Sequence, residues 1–391
     1  MKKKVAILGS TGSIGKNLIQ LIKKDITNFD VVLLTAHKNY KELLKQSELF
    51  KVKNIIISDH ESFKKFISKN KNKKIRVFNN YNQFKKIFKS RIDYTMCAIS
   101  GLAGLVPVLE IIKYSRIIAI ANKESIICAW NLIEKKLLQY KTKLIPVDSE
   151  HFSIWFGSIN INIKNIEKIY ITASGGPFLN YPKSQFKNIN ISDTLNHPNW
   201  KMGKKITVDS ATMINKLYEI IEAKNIFKIP YKKLSIIVHK NSYIHAIIKF
   251  NNGMIKIIAH DTTMKIPIFN TIYHQFNRSL VTKKINFDKL NDLDFREIDY
   301  LKFPIDKILK ILPNNESLFE TILVSTNDFL VDKFLKKKIK FTDIHNILIK
   351  FIRLKEFKKY KALVAKSAND IINTKNYVHF KLNKYLYKFY K

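Results

Sequence analysis

The chain has 391 residues, enough for two or three domains with separate cores, and a formal net charge of +39. The excess is almost entirely lysine, extends evenly from Lys2 to Lys391, and accompanies many isoleucine and asparagine residues, which share A/T-rich codons with lysine. Because arginine, the usual residue for reading bases, is scarce, we attribute the charge to codon bias and expect no nucleic-acid partner.

The N-terminal segment has the pattern of a nucleotide-binding turn. An apolar run typical of a strand, Lys4 to Leu8, leads into GSTGSIG at residues 9–15, and apolar residues at helical spacing follow from Leu18 to Ile22. Glycines here would let the backbone approach a pyrophosphate, which the helix N-terminus would bind. The spacing is GxxGxxG and not GxGxxG, so a glycine turn that serves packing alone remains the alternative.

The end of the second predicted strand indicates which dinucleotide is bound. After Val31 to Leu34, an NAD site would carry an Asp or Glu that accepts from the ribose hydroxyl. The chain instead reads Thr-Ala-His-Lys-Asn at 35–39, with Lys38 in reach of a 2′-phosphate. We therefore predict NADPH as the cofactor.

Strand and helix patterns alternate through residues 1–147, which predicts an α/β domain with a Rossmann-like, doubly wound parallel sheet that binds NADPH. The further strands predicted in this region are Asn54–Ile57, Ile75–Phe78, Asp93–Cys97 and Arg116–Ala121.

The rest of the chain follows a different pattern. Alternating strands with one helix around Ala211–Lys224 predict a central α+β catalytic domain with an open sheet over residues 148–277, followed by a polar linker at 278–300. Periodic helical segments predict a C-terminal helical domain over 301–391. The predicted strands are Ser235–Val238, Ile244–Phe250 and Met254–Ala259, and the C-terminal helices are Glu316–Leu335, Phe341–Leu354 and Lys361–Thr374.

Two carboxylates follow the apolar run Lys143 to Val147. In an extended backbone residues i and i+2 project to the same side, so we expect Asp148 and Glu150 to point together at the end of a strand. Open α/β sheets place their chemistry at such ends. Holding both acids ionised needs a cation between them, whereas a solvated loop with two acids is the alternative.

Two later segments favour an anion site. Ser174, in TASGGPF, follows a strand and offers a hydroxyl beside glycine amides. Ser210, in DSATMINK, is the predicted N-cap of a helix whose first turns hold Lys216 and whose dipole favours phosphate. Glu219 and Glu222 follow on one helical face. Taken singly, Ser210 as a plain cap and Glu222 as a surface ion pair are equally good interpretations. Together with the strand-end acids, these residues predict a phosphate pocket beside a metal site.

Six segments together resemble the 1-deoxy-D-xylulose 5-phosphate reductoisomerase family. They are GSTGSIG, ANKES, PVDSEH, SGGPF, HPNW with the following MG, and VDSATM-x-NK, in this order along nearly the whole chain. The family's enzymes are NADPH-dependent oxidoreductases of the methylerythritol phosphate route to isoprenoids. The resemblance implies conversion of 1-deoxy-D-xylulose 5-phosphate to 2-C-methyl-D-erythritol 4-phosphate by a homodimer. His37 stands where the family has glycine.

The resemblance also implies the site residues, in four groups. The ligands of Mg²⁺ or Mn²⁺ would be Asp148, Glu150 and Glu219. Substrate would be bound near the metal by Lys123, Ser149, Glu150 and Glu219, at its phosphate by Ser174, Ser210, Asn215 and Lys216, and along its carbon skeleton by His197 and a lid that carries Trp200. NADPH would be bound by Thr11, Gly12, Ser13, Ile14, Lys38, Asn39, Asn122, Glu124 and Gly203. Lys123 and Glu150 would be the electrostatic and proton-handling groups of catalysis.

Cysteine usage and hydropathy bear on the compartment. Cys97 and Cys128 lie in separate apolar segments without CxxC spacing, which argues against a disulfide scaffold and a thiolate metal site. No apolar run approaches the roughly 18 residues that span a bilayer. The first strand begins at residue 4 or 5, which leaves no room for a signal peptide in the chain as given. We therefore expect a cytoplasmic enzyme without a membrane partner.

Two other classes of function remain open at this point. A different NADPH-linked oxidoreductase of similar build would not need three acids around a metal, so loss of activity with a chelator separates it. A nucleic-acid-binding protein with a relic fold would have its lysines clustered on one face, and its binding would weaken steeply with salt.

Overall fold

The computed structural model describes residues 2–273 and 278–389, which form two compact units. The first unit comprises Met1–Ser125, Leu132–Trp155 and Thr263–Thr282, and the second comprises Ile126–Asn131, Phe156–Thr262 and Lys283–Lys391. These bounds differ from the predicted segments, whose boundary at 277 lies outside the described residues. The assignment of a function to each predicted segment therefore stays a prediction.

A seven-stranded sheet lies at the centre of the first unit. All its neighbouring strands are parallel, in the order β4-β3-β2-β1-β5-β6-β7. The strands are β1 (Lys3–Leu8), β2 (Phe29–Ala36), β3 (Asn54–Ile57), β4 (Arg76–Phe78), β5 (Ile92–Cys97), β6 (Ser115–Ile120) and β7 (Lys143–Pro146). The helices of the same part of the chain are α1 (Ser13–Lys23), α2 (Tyr40–Leu49), α3 (His60–Lys69), α4 (Phe84–Ile87), α5 (Leu105–Ile111), α6 (Lys123–Gln139) and α7 (Ser149–Gly157).

Burial explains why the strands of this sheet are nearly continuous apolar runs. Residues 5–8 of β1 are fully buried, as expected for a parallel strand covered on both faces. Leu18 and Ile22 of α1 pack into this core, together with Ile268 and Ile272 of a later helix, α11 (Lys265–Tyr273). The predicted Rossmann-like sheet is confirmed.

The second unit contains a four-stranded mixed sheet in the order β11-β10-β8-β9. Its β8 and β9 are parallel, and β10 is antiparallel to both of its neighbours, so the predicted open α+β sheet is confirmed. The strands are β8 (Ile166–Ala173), β9 (Leu234–Val238), β10 (Ile244–Phe250) and β11 (Ile255–Ala259). The helices are α8 (Ile191–Leu195), α9 (Lys204–Ala211), α10 (Ile214–Phe227), α12 (Phe287–Asn291), α13 (Asp306–Leu309), α14 (Leu318–Leu335), α15 (Phe341–Ile352) and α16 (Ala368–Phe389).

The single helix predicted around Ala211–Lys224 is two helices, α9 and α10. The break falls at Met213, which has φ +60° and precedes the first residue of α10. Ser210 lies in the last turn of α9, so its prediction as the N-cap was wrong. A buried αL residue that is not glycine gives no signal in the sequence, because the apolar periodicity continues across it.

The last helix begins later than predicted. Residues 361–367 are not α-helical, and α16 runs from Ala368 to Phe389, so the predicted Lys361–Thr374 helix is wrong at both ends. The Asp370 carboxylate accepts the backbone N–H groups of Lys366 and Ser367 at 2.8 and 2.9 Å and fixes the N-terminus there. This Ser-x-x-Asp capping signal was present in the sequence. Among the described residues, every helix is too short or too polar to cross a bilayer.

Candidate functional site

The GSTGSIG turn presents backbone amides at the start of α1. Gly9 has φ +83°, and a Cβ at Gly15 would lie 2.4 Å from the Gly9 carbonyl oxygen, so the turn needs glycine at both positions. Gly12 is exposed at the N-cap of α1, and the first turn of α1 has no acidic residue. This helix end is suited to a phosphate group. The predicted cofactor residues Thr11, Gly12, Ser13 and Ile14 all lie here.

A second group of predicted cofactor residues lies at the carboxyl end of β2. His37, Lys38 and Asn39 are all exposed there. The Asn39 side chain accepts the Glu42 backbone N–H at 3.3 Å and so caps α2. The His37 ring lies 3.0 Å from the Ser58 hydroxyl. Lys38 thus presents an exposed ammonium at the strand end where the 2′-phosphate is predicted.

One carboxylate lies near this strand end. Asp59 is the N-cap of α3, and hydrogen bonds from Ser62, followed by smaller contributions from the charges of Lys38 and His37, lower the pKa of Asp59. The group is therefore ionised at neutral pH. Its charge partly offsets that of Lys38, which reduces the attraction of this end of the sheet for a phosphate.

The other predicted cofactor residues are placed differently. Asn122 caps α6, where its side chain accepts the Ser125 backbone N–H at 2.7 Å and donates to the Gly101 carbonyl at 2.8 Å. These bonds to the backbone give the Asn122 side chain a structural role. Glu124 is buried in the first turn of α6. Gly203 is exposed at the N-cap of α9 and belongs to the second unit.

A buried polar cluster lies at the end of β7. The Lys123 ammonium is 2.7 Å from the Asp148 carboxylate, and the His151 Nδ1–H donates to the same oxygen at 3.2 Å. Ser149 donates to Glu150 at 2.6 Å, and carboxylate oxygens of Asp148 and Glu150 lie within 4.8 Å of each other. The two acids predicted to converge therefore do so.

The cause of this convergence differs from the prediction. The strand β7 ends at Pro146, and α7 begins at Ser149, so Asp148 precedes a helix and Glu150 lies in its first turn. The extended i, i+2 geometry was wrong. A helix N-terminus also stabilises carboxylates, which suits an acidic cluster at this position.

Electrostatics keep Asp148 charged. Burial raises the pKa of Asp148, but the Lys123 ammonium and the His151 ring outweigh burial and hold that pKa well below its usual range. The result is a partly buried carboxylate that is ionised at neutral pH. Such a group beside a second carboxylate is suited to a hard divalent cation.

In the second unit, one histidine joins two of the predicted phosphate residues. Nε2 of His197 lies 3.2 Å from the Ser174 hydroxyl and 3.1 Å from the Ser210 hydroxyl. Nδ1 of His197 accepts the backbone N–H groups of Asn199 and Trp200 at 3.1 and 3.0 Å. Since Nδ1 is an acceptor, the proton of the neutral ring is on Nε2, facing the two serines.

The charge state of this histidine agrees with its hydrogen bonds. Burial, together with the positive charge of Lys216, lowers the pKa of His197 to about 4. The ring is therefore neutral at physiological pH and can donate one hydrogen bond from Nε2. It adds no charge to the pocket, so the cationic group of this cluster is Lys216.

The first turn of α10 carries the remaining predicted phosphate residues. The Lys216 ammonium is 2.6 Å from one Glu219 oxygen, and the Asn215 amide donates to the other. Glu219 is fully buried and Lys216 nearly so. Glu222, one turn later, is also buried, which excludes its interpretation as a surface ion pair.

A close contact at Gly176 lets the segments that carry Ser174 and Ser210 approach each other. Gly176 has φ +65°, and a Cβ on it would lie 3.1 Å from the Ser210 carbonyl oxygen. The loop after β8 can therefore approach the end of α9 only without a side chain at this position. This close approach explains why SGGPF and VDSATM, which are distant in sequence, form one pocket.

The predicted lid residue Trp200 lies beside a histidine pair. Its ring centroid is 6.2 Å from that of His245, and the His245 ring stacks on His260 at 3.7 Å. His245 donates from Nε2 to the His260 carbonyl at 3.1 Å, so a structural role for His245 is supported. Trp200 is half-buried in the loop that also carries His197.

Sequence reasoning missed two residues that contact these clusters. His151 directly follows Glu150 in PVDSEH, and its position one helical turn after Asp148 was the available signal. Asp209 directly precedes Ser210 and is buried against α14, a contact for which the sequence offers no signal.

Comparisons with known proteins give one consistent result. Three family models match the chain: 1-deoxy-D-xylulose 5-phosphate reductoisomerase at residues 5–130, its C-terminal domain at 144–227, and the DXP reductoisomerase C-terminal domain at 261–379. A relative from Pelagibacter ubique with the same enzyme name is 55% identical over 383 residues, which cover 97% of this chain and 99% of that protein.

Solved structures agree with the sequence matches. The Zymomonas mobilis 1-deoxy-D-xylulose 5-phosphate reductoisomerase in complex with NADPH is 30% identical with a TM-score of 0.86, and the match covers 97% of this chain and 98% of that one. A DOX-P reductoisomerase in complex with NADPH, fosmidomycin and magnesium is 26% identical with a TM-score of 0.90, covering 98% of each chain.

Proposed function

Because this chain belongs to the 1-deoxy-D-xylulose 5-phosphate reductoisomerase family, we infer that its two polar clusters and its glycine turn serve that reaction. The chain is an NADPH- and divalent-metal-dependent oxidoreductase that converts 1-deoxy-D-xylulose 5-phosphate to 2-C-methyl-D-erythritol 4-phosphate. The observation that carries the assignment of residues is the pairing of Ser174 and Ser210 through a neutral His197 beside Lys216.

In the proposed phosphate site, each group supplies a different contact. The hydroxyls of Ser174 and Ser210 donate to phosphate oxygens, and the Asn215 amide adds a further donor. Lys216 supplies the positive charge, and its buried position makes its attraction for a dianion stronger than at a surface. His197, held by two backbone amides, donates from Nε2 and orients the serines. This chemistry suits a sugar phosphate.

The proposed metal ligands are Asp148, Glu150 and Glu219. All three are carboxylates, and Asp148 remains ionised, as oxygen ligation of Mg²⁺ or Mn²⁺ requires. A bound divalent cation supplies Lewis acidity toward the ketone and neighbouring hydroxyl oxygens of the substrate.

Lys123 and Glu150 are the proposed catalytic side chains. Lys123 holds its ammonium 2.7 Å from Asp148, where it stabilises negative charge on nearby oxygens. Glu150 accepts a hydrogen bond from Ser149 and can move a proton from a substrate hydroxyl. Trp200, on the same loop as His197, covers the carbon skeleton and excludes water.

The proposed NADPH site uses the α1 N-terminus for the pyrophosphate and Lys38 for the 2′-phosphate. NADPH supplies the hydride. The exposed amides after Gly12 and the absence of an acid at residues 35–39 support this assignment. The family resemblance adds Glu124 and Gly203 to the residues proposed to bind NADPH.

A homodimer in the cytoplasm is the proposed state. The edge strand β11 pairs on one side with β10 and exposes Ile255 and Ile257 by 54% and 46%. An apolar edge of this kind is typical of a surface covered by a partner. Sedimentation of Ile255→Lys and Ile257→Lys variants should show monomers where the wild type gives dimers.

The chelator test separates this function from that of another NADPH-linked oxidoreductase. With 1-deoxy-D-xylulose 5-phosphate as substrate, NADPH oxidation should stop when EDTA is added and return with Mg²⁺ or Mn²⁺. Oxidation that continues in EDTA after exhaustive dialysis would remove the proposed metal role.

A further inference from the structure

A second set of polar residues, most of them buried, surrounds the turn between α9 and α10. We propose that Lys205, Asp209, Asn327 and His345 are positioning residues that hold this turn in the geometry that binds the substrate phosphate. The C-terminal helices α14 and α15 would thereby set phosphate affinity without touching substrate. This inference rests on the proposed phosphate roles of Ser210, Asn215 and Lys216.

The turn itself is conformationally costly. Met213 is buried and has φ +60°, an αL conformation that is unfavourable for a residue with a side chain. No side chain caps the N-terminus of α10 that follows. Yet Ser210 lies just before this turn and Lys216 just after it. The spacing of the phosphate donors therefore depends on neighbours that hold the strained turn in place.

Asp209 provides one such anchor. Its carboxylate, nearly fully buried, accepts from the Asn327 amide of α14 at 2.7 Å and pairs with the Lys205 ammonium at 3.0 Å. Lys205 also contacts Asp328 of α14 at 2.9 Å, and its ammonium lies over the Tyr218 ring of α10, 5.3 Å from the centroid. Both helices that flank the turn are thus tied to α14.

His345 of α15 provides a second anchor. Its Nε2–H donates to the Thr212 carbonyl at 2.8 Å, at the residue directly before Met213. Thr212 in turn donates from its hydroxyl to the Val208 carbonyl at 3.1 Å. The carbonyl at the end of α9 therefore has a buried partner, which fixes where the chain turns.

These contacts are consistent with residues that position the phosphate donors and do not bind phosphate themselves. None of the four proposed positioning residues is one of the predicted phosphate donors, but Asp209 is adjacent to Ser210 in the chain. Removing the charge of Asp209 leaves the Asn327 amide and the Lys205 ammonium competing for a weaker acceptor, so the end of α9 can shift. A shift of this kind separates the donors of one phosphate site and lowers its affinity, while the nucleotide turn of the first unit is unaffected.

The test compares Asp209→Asn and Lys205→Met with a control on the same helix as Asn327. Asp332→Asn removes an exposed carboxylate of α14 that pairs with Lys336 at 2.8 Å, away from the turn. For each protein, kcat, the KM for 1-deoxy-D-xylulose 5-phosphate, the KM for NADPH and the Ki of inorganic phosphate are measured. We expect the substrate KM and the phosphate Ki to rise together in both test variants, on the order of tenfold. In both test variants, kcat and the KM for NADPH should change by less than about twofold. In the Asp332→Asn control, all four parameters should change by less than about twofold.

Several outcomes would overturn the inference. Folded variants with unchanged phosphate Ki and substrate KM would show that the anchors do not act on the site, and an equal loss of NADPH affinity would indicate general destabilisation. If Asp209→Asn does not fold, Lys205→Met decides, because Lys205 is partly exposed. A Lys216→Ala protein with wild-type phosphate Ki would refute the proposed phosphate site itself. Loss of phosphate affinity in Lys216→Ala but not in the two test variants would refute only the positioning role.

Discussion

The nucleotide turn of the first unit and the phosphate cluster of the second differ in how exposed their binding groups are. At the turn, the exposed Gly12 and the N-terminus of α1 offer backbone amides, and Lys38 is exposed to solvent. In the phosphate cluster Lys216 is buried and the other donors are partly buried, and each already has a partner within the protein, as in the Lys216–Glu219 pair at 2.6 Å. The first site can bind a phosphate through exposed groups. In the second site, a phosphate must replace hydrogen bonds that the donors already make within the protein.

This difference has an energetic consequence. A ligand at the turn gains contacts without breaking buried ones, so replacing an exposed side chain there, such as Lys38, should change affinity and leave stability nearly constant. A phosphate in the second cluster must compete with bonds that stabilise the folded protein. Changes there should alter affinity and stability together. The Asp148 cluster resembles the phosphate cluster in burial, although it belongs to the first unit.

The largest expected effect is that of Asp148→Asn. Loss of the ionised oxygen beside Lys123 should lower kcat by a factor on the order of a thousand and weaken Mn²⁺ binding, because several kcal/mol of Lewis-acid stabilisation are lost. NADPH binding, measured by fluorescence titration, should stay near the wild-type value. The matched control is Asp30→Asn, an exposed carboxylate on β2. Wild-type turnover in Asp148→Asn would place the metal elsewhere.

Lys216→Ala tests whether one lysine both binds the substrate phosphate and stabilises buried Glu219. The substrate KM should rise about tenfold or more, since one charge-assisted hydrogen bond to phosphate is lost. Thermal unfolding should also shift downward, because buried Glu219 loses its ammonium partner. Lys232→Ala, an exposed lysine of the same unit, serves as the control. A raised KM with an unchanged melting temperature would contradict the view that this cluster combines binding and stability.

Lys38→Ala makes the opposite test at the nucleotide turn. The ratio of kcat/KM for NADPH to that for NADH should fall by roughly tenfold, because an exposed charge contact to the 2′-phosphate is lost. The melting temperature should not change. Lys41→Ala, an exposed lysine in the first turn of α2, is the control. A wild type that uses NADH and NADPH equally would refute the role of this strand end.

The smallest expected effect on activity is that of His345→Gln, which keeps a donor for the Thr212 carbonyl. Burial lowers the pKa of His345 to about 4, whereas the unfolded chain has its usual value near 6.5. The neutral ring thus contributes stability that is fully present above about pH 6.5 and is lost as pH falls toward 4. Wild type should lose on the order of 2 kcal/mol more than the variant between pH 6 and 4.5 in urea unfolding. Parallel pH curves would contradict this.

The sequence was sufficient to predict the fold class, whereas the roles of the site residues stay predictions. Continuous apolar runs such as residues 5–8 identify buried parallel strands, and the motifs carry the polar residues that the structure brings together. The helix break at Met213 could not be predicted, because an αL residue is stabilised by tertiary contacts such as His345 to Thr212. The convergence of Asp148 and Glu150 was predicted for a strand end but occurs at a helix start. Long-range anchors such as Asp209 to Asn327 have no local signature.

The most direct measurement is the identity of the product formed by the purified chain. With 1-deoxy-D-xylulose 5-phosphate, Mg²⁺ and NADPH, the account predicts one NADPH oxidised per substrate and a product whose ¹³C NMR spectrum shows the branched skeleton of 2-C-methyl-D-erythritol 4-phosphate. A straight-chain deoxypentitol phosphate would mean reduction without rearrangement. That product, or the absence of any NADPH oxidation under these conditions, would contradict the assigned function.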